Sequence, residues 1–395
     1  MTLTACTSQR GGDSADGGGG GGTPTTQPTG TPLLLGYVTQ ENSAVGSFPE
    51  TRVAAQAAAA YANSELNGVN GRPVKLVTCA TNGSPESSQD CANKLVAQHP
   101  VAVVGGVDVG AEAAMDVYKN AGIPYVSGSP QLNGELNSTN SFSLTGGTAA
   151  ELLGITDYLT SVKKVRSVHA LYVDLSGLLS IAIDSSKRIL TAKGVTDVTL
   201  VSEKADAADF APALSNVAKG NPDAIIVVFQ AQACARIVQA ASALNISTPM
   251  YLVGSCASPA VAKAAGGKTD NLLFASGYVP ATDGDKDAAA AAFAKRVPAD
   301  QRTSGSEASF SAVLVVRELL AGLPDPTSAA LTTALRATKD HANVMAHPFT
   351  CDGKQIVILP SICNSAVRLL TWNGKGFTDL TGDWIDGRKL VDLAG

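Results

Sequence analysis

Runs of apolar residues long enough to cross a bilayer are missing from this sequence. The longest candidates are strand-sized, such as AIIVVF from Ala224 to Phe229, well short of the roughly 18 residues a membrane span needs. Basic excess is missing too: 29 Lys and Arg stand against 34 Asp and Glu, a net charge of -5, so no nucleic-acid partner is expected. The four histidines, His99, His169, His341 and His347, do not make the H-E-x-x-H spacing of a zinc site, and no cysteine pair has the tight C-x-x-C type of spacing, so no metal is expected. Gly105, Gly106 and Gly110 do not complete G-x-G-x-x-G. There is no G-x-x-x-x-G-K-[ST] phosphate loop and no G-x-S-x-G nucleophile elbow. These absences argue against dehydrogenase and hydrolase chemistry, and the expectation is a protein that is not an enzyme and carries no cofactor.

What is present is a long, apolar, weakly charged chain: 395 residues, 45% hydrophobic and 16% charged, enough for about two domains of ~150 residues. Seven cysteines stand at 6, 79, 91, 234, 256, 351 and 363. Setting Cys6 aside leaves three sequential neighbours, Cys79 with Cys91, Cys234 with Cys256 and Cys351 with Cys363, the first and third equally spaced. They read as three local disulfides of an exported protein, although six cysteines allow many pairings and six buried thiols would be the alternative.

Leu3-Thr4-Ala5-Cys6 resembles a bacterial lipobox, in which small residues precede a cysteine that is lipidated and becomes the mature N-terminus. Cys6 is therefore the expected lipidation site, although the charged and apolar regions of a secretory signal do not precede it. The Gly, Ser, Thr and Pro tract that follows cannot bury enough apolar surface to offset its chain entropy. At ~5–6 Å × √n the stretch from Thr7 to Pro32 would reach roughly 30 Å as a tether.

After Pro32 strands alternate with helices. LLLGYV, VKLVTC, VAVVGG and IPYVSG read as strands, separated by helices such as FPETRVAAQAAAAYANSEL, with Ser47 placed to cap it and Pro49 in its first turn. A second series follows SFSLTGGT, with strands SVHALYVD, VTLVSE, AIIVVFQ and MYLVGS. Such alternation implies two doubly wound α/β units with parallel sheets.

The ordered segments LLLGYVTQ, ELNGVNGRPVKLVTCATNGSPESSQDCANKLVAQHPVAVVGG, KNAGIPYVSGSP and NPDAIIVVFQAQACARIVQAASALNI resemble the type I solute-binding proteins of ABC importers, the branched-chain amino-acid branch above all. The resemblance spans most of residues 33–395. It implies an α/β fold of two doubly wound parallel-sheet lobes joined by a three-segment hinge. Residues 1–32 would be tether, 33–145 plus 277–347 the first lobe, and 146–276 plus 348–395 the second. The crossings are expected near Leu144–Gly147, Ala275–Tyr278 and His347–Thr350, with the tail from CDGKQIVILP onward as strands and a hairpin at Asn373-Gly374. It further implies a monomer on the outer face of the bacterial membrane, anchored through Cys6, that hands a small-molecule solute to ABC permease subunits. A sensory module on the same fold is the alternative.

In doubly wound sheets ligands sit beyond the carboxyl ends of the strands. Those loops nominate Gln40, Asn42, Val107, Asp108, Gly110, Ser127, Ser129, Asp174, Ser176, Gln230 and Ser255, with Cys234 and Cys256 bracing the rim. Asp108 and Asp174 could equally cap the helices that follow them. The chain departs from the family at three loops. Val107-Asp108-Val109-Gly110 replaces a serine-rich loop, Leu175-Ser176-Gly177 replaces an aromatic residue, and Ser255-Cys256-Ala257 stands where an acidic residue would neutralise an ammonium. A desolvated ammonium without a counter-charge costs several kcal/mol. An α-amino acid therefore needs a carboxylate from elsewhere, and Asp108, Asp174 and Glu41 are the candidates.

Overall fold

The computed structural model describes residues 27–41, 43, 46–130, 133–173 and 180–394. Cys6, Asn42, Asp174 and Ser176 lie outside the described residues.

Strands β1 (Leu33–Gln40), β2 (Val74–Thr81), β3 (Ala102–Gly105), β4 (Tyr125–Ser127) and β5 (Ser141–Ser143) form one parallel sheet in the order β2-β1-β3-β4-β5. The order reverses beside β1, where neighbouring crossovers run to opposite faces and leave a crevice. Helices α1 (Pro49–Glu65), α2 (Pro85–Val96), α3 (Glu112–Asn120) and the short α4 (Asn133–Asn137) connect these strands. Ser84 caps α2 by accepting from Ser87 N–H, and Pro85 fills the first turn, where its missing N–H costs nothing. Helix α1 starts differently from the expectation: its N-cap is Phe48, with no side-chain cap, and Thr51 Oγ1 donates to Phe48 O instead at 2.7 Å. Ser47 sits one residue too early because Phe48 is drawn into the core.

Helix α5 (Gly147–Asp157) opens the second unit, and strands β6 (Ser167–Val173), β7 (Asp197–Glu203), β8 (Ala224–Val228), β9 (Met250–Leu252) and β10 (Leu272–Ser276) follow, all parallel. Helices α6 (Ser180–Ala192), α7 (Ala211–Val217), α8 (Ala231–Ala243) and α9 (Pro259–Ala264) connect them. Their apolar residues, among them Ile183, Leu214, Ile237 and Val261, share one core with the sheet and with Leu152 of α5.

The chain then returns to the first unit as α10 (Ala288–Arg296), α11 (Ser304–Ala321) and α12 (Ser328–Arg336). Helix α11 is buried over most of its surface, packed between α1 and the sheet, and a Thr303–Ser306 capping box begins it. The last elements, β11 (Ala366–Trp372), β12 (Phe377–Asp379) and β13 (Ile385–Asp386), add antiparallel to the second sheet, giving the path β12-β11-β10-β9-β8-β6-β7 with β13 on β11.

Three passages therefore join the units. Two coincide with Leu144–Gly147 and with the stretch after Ser276. The third is displaced from the expected His347–Thr350 to Asn364–Ser365, because Phe349, Cys351 and Cys363 pack in the first core and Ile362 bridges to Ser143. Residues 348–363 thus go with the first lobe. The CDGKQIVILP stretch forms turns rather than strand, with Val357 and Ile358 projecting to solvent at 73% and 59% exposure. The passages run side by side. A Cβ on Gly277 would come within 2.9 Å of Thr145 Cγ2, and Gly147 takes φ 51°, which a side chain would strain.

Candidate functional site

The carboxyl ends of both sheets face one cleft, and short contacts cross it. Gln232 Nε2 donates to Ser47 O at 3.4 Å, and Ser304 N–H at the start of α11 donates to Ala257 O at 3.2 Å.

On the first-lobe wall, Gln40 is fully buried and ties the loops together rather than pointing free. Its Nε2 donates to Gly46 O at 2.7 Å, its Oε1 accepts from Val109 N at 3.2 Å, and its N–H donates to Val107 O at 2.7 Å. Asp108 is buried with both carboxylate oxygens engaged: Oδ1 accepts from Thr81 Oγ1 at 2.9 Å and Gly110 N at 3.1 Å, Oδ2 from Ser88 Oγ at 2.8 Å. It does not cap α3, whose N-cap is Ala111. Burial raises its pKa, and the three donors pull it back. Gly110 lies so close to Ser88 and Ser84 that a Cβ has no room. Glu41, the other candidate counter-charge, is held by Arg52 at 2.7 Å. Ser127 Oγ accepts from Ser129 N at 3.3 Å, and Gly128 O between them accepts from Tyr278 Oη at 2.6 Å and Thr145 Oγ1 at 2.8 Å, fastening this loop to two hinge passages.

The opposite wall is built on α8 and the 3-10 turn Gly254–Cys256. Ser255 Oγ donates to Phe229 O at 2.6 Å. A disulfide between Cys234 and Cys256 joins α8 to this turn. Gln230, at the N-cap of α8, has a side-chain carbonyl that is buried without a hydrogen-bond partner.

Two carboxyl groups that the sequence reading did not nominate lie beside this turn. Glu151, in the first turns of α5, is 7% exposed, and its Oε2 accepts from Gly254 N at 2.8 Å; burial pushes its pKa up to about 7, against the pull of that N–H. Glu307, one turn along α11 from Ser304, is 8% exposed and accepts from Ala281 N–H; burial pushes it up to about 8. Tyr278, on the second passage, feels both charges. The available signal was a lone acid in the small and apolar first turns of two helices, GTAAELLG and SGSEASFSAV.

The structure thus brings Gln40, Val107, Asp108, Gly110, Ser127, Ser129, Gln230 and Ser255 to the facing ends of the two sheets, several of them engaged in internal hydrogen bonds. The described residues include no group of three or more His, Cys, Asp or Glu able to hold a metal, and no helix among them is long and apolar enough to cross a membrane. The three disulfides join sequential neighbours, Cys79–Cys91, Cys234–Cys256 and Cys351–Cys363.

A family model described as periplasmic binding protein matches residues 33–374. Among solved structures, the branched-chain amino acid transporter substrate binding protein LivJ from Streptococcus pneumoniae, in complex with isoleucine, is similar at 20% identity. Its TM-score is 0.73, over 89% of this chain and 99% of that one. A fatty acid ABC transporter substrate-binding protein from Thermomonospora curvata is similar at 16% identity and TM-score 0.75, over 93% and 94% of the two chains. The leucine binding protein LivK from Thermotoga maritima is similar at 15% identity and TM-score 0.73, over 90% and 99%. Comparison with curated proteins gives no significant match.

Proposed function

The chain belongs to the periplasmic binding protein family, with the type I fold, and on that premise we propose that it is an extracytoplasmic receptor for a small, polar, amino-acid-like solute bound in the interlobe cleft. The observation that carries this reading is the chemistry of the facing sheet ends. The side-chain carbonyl of Gln230, buried without a hydrogen-bond partner, and the buried carboxyls of Glu151 and Glu307, with one backbone N–H each, lie there, and a purely apolar ligand such as a fatty acyl chain would offer them nothing. Solute binding is the shared theme of the similar proteins, two of which are named for branched-chain amino acids. Delivery to ABC permease subunits, a monomeric state and anchoring through a lipidated Cys6 complete the proposal. The three disulfides suit an oxidising compartment outside the cytoplasm.

The test is a thermal-shift screen of the full chain against amino acids, amines, short-chain carboxylates, fatty acids, nucleosides and sugars. A solute at 100 times its Kd adds about 2.7 kcal/mol to the folded state. A rise in Tm with one class of polar solute is the expected result. Stabilisation by fatty acids alone would contradict the polar assignment, and no stabilisation by any class would contradict solute binding.

A further inference from the structure

Sequence reasoning left a counter-charge unaccounted for, and the structure removes two of its candidates: Asp108 is saturated by Thr81, Ser88 and Gly110, and Glu41 is paired with Arg52. We propose that Glu151 and Glu307, one from each lobe, receive a cationic group of the solute, an ammonium or a guanidinium, at the hinge end of the cleft. The inference rests on the cleft being the solute site, and it assigns the chemical class that site accepts.

Four observations carry it. Both carboxyls are more than nine-tenths buried, and each has a single backbone N–H as partner, from Gly254 and from Ala281. No ion pair among the described residues involves either one, and the internal segments outside the description, 42, 44–45, 131–132 and 174–179, contain no Lys, Arg or His. Their helices flank the same short loop: Glu151 accepts from its first residue, Gly254, while Ser304, one turn from Glu307, donates to Ala257 at its end. Beside that loop, the side-chain carbonyl of Gln230 is buried without a donor, and Ser255 ties the loop to the adjacent Phe229. Buried carboxyls without a cation are costly as charges and stay protonated; a cationic solute that enters with closure supplies the missing partner and ionises them.

The sign of the linkage follows. Binding a cation to groups that are protonated in the empty cleft releases protons, so affinity rises with pH through about 7 to 8, where Glu151 and Glu307 ionise. The other titratable groups near the pair are Tyr278, pushed above its usual range by burial, and Glu50, raised by burial beside Thr303 at the α11 cap. Tyr278 stays neutral across this window.

The experiment compares solutes of one skeleton with and without the cationic group, using the full chain: isoleucine against 3-methylpentanoate, and agmatine and putrescine against butanol. Titrations run at pH 6 and pH 8 on the wild type and on Glu151→Gln and Glu307→Gln. Stabilisation confined to the cationic members, affinity at least tenfold higher at pH 8 than at pH 6, and loss of that pH dependence with at least tenfold weaker binding in the Gln variants are the expected results. The solute-free Tm of each variant separates binding from folding. If only uncharged or anionic solutes bind, or if the Gln variants bind a cationic solute unchanged, the inference fails while the receptor reading stands. If no solute of any class in this set or in the wider screen binds, both fall.

Discussion

At the scale of single residues, the polar groups of the cleft divide into those that hold the wall together and those that face a solute. Gln40 and Asp108 belong to the first kind, their side-chain oxygens accepting from nearby backbone and hydroxyl donors. Glu151 and Glu307 are the pair proposed for the second, and their burial sets a pH dependence of its own. A carboxyl whose folded pKa is raised stabilises the folded state below its unfolded value, near 4.5, and that contribution is lost as pH rises through about 7 for Glu151 and about 8 for Glu307. The solute-free protein should therefore show a Tm that falls between pH 5 and pH 8.5, with a shallower slope in Glu151→Gln and Glu307→Gln. Parallel slopes in all three would remove the two groups as its cause. The position of Asp108 was legible in the sequence, at the end of a strand before a helix. Its partners were not, since Ser88 and Thr81 reach it from other elements. Glu151 and Glu307 were illegible for a related reason: a Glu in a run of Ala, Gly, Ser and Leu usually marks a solvated face, and it is neighbours distant in sequence, Gly254 beside Glu151 and Ala281 beside Glu307, that show each one buried here.

At the scale of elements, the β/α alternation of the two sheets followed from strand-sized apolar runs and capped helices, such as Ser84 with Pro85 at α2. It failed at residues 351–362. The apolar run QIVIL reads as a strand, yet Pro360 and the Cys351–Cys363 bridge hold it as turns that leave Val357 and Ile358 exposed. Short apolar runs carry no periodicity to separate strand from turn. Among the disulfides, Cys234–Cys256 differs from the others in joining α8 to the loop that carries Ser255 and accompanies Glu151. Replacing both of its cysteines with Ser should cost about 2–4 kcal/mol of stability, the usual range for a native bridge, and also weaken solute binding. The same replacement at Cys79 and Cys91, which join β2 to the outer helix α2, should lower stability alone. Denaturation and titration on the two double variants check this, and equal affinity losses would contradict it.

At the scale of the whole molecule, the fold places two sheets with their carboxyl ends opposed and three adjacent passages between them. The narrow fit of Gly277 against Thr145 and the clasp of Tyr278 on Gly128 hold two of the passages together beside the cleft, so in the proposed closure a small rotation there would move both walls. The two-lobe plan was legible because two complete β/α series follow one another in the chain. The third passage was misplaced because its neighbours in space, Ser143 and Ile362, are far apart in sequence. The central claim, that the lobes close on a solute held between them, is tested most directly by small-angle X-ray scattering of the full chain, with and without a saturating solute identified by thermal shift. The account predicts a smaller radius of gyration in the bound state. A bound solute that leaves the scattering unchanged would contradict it.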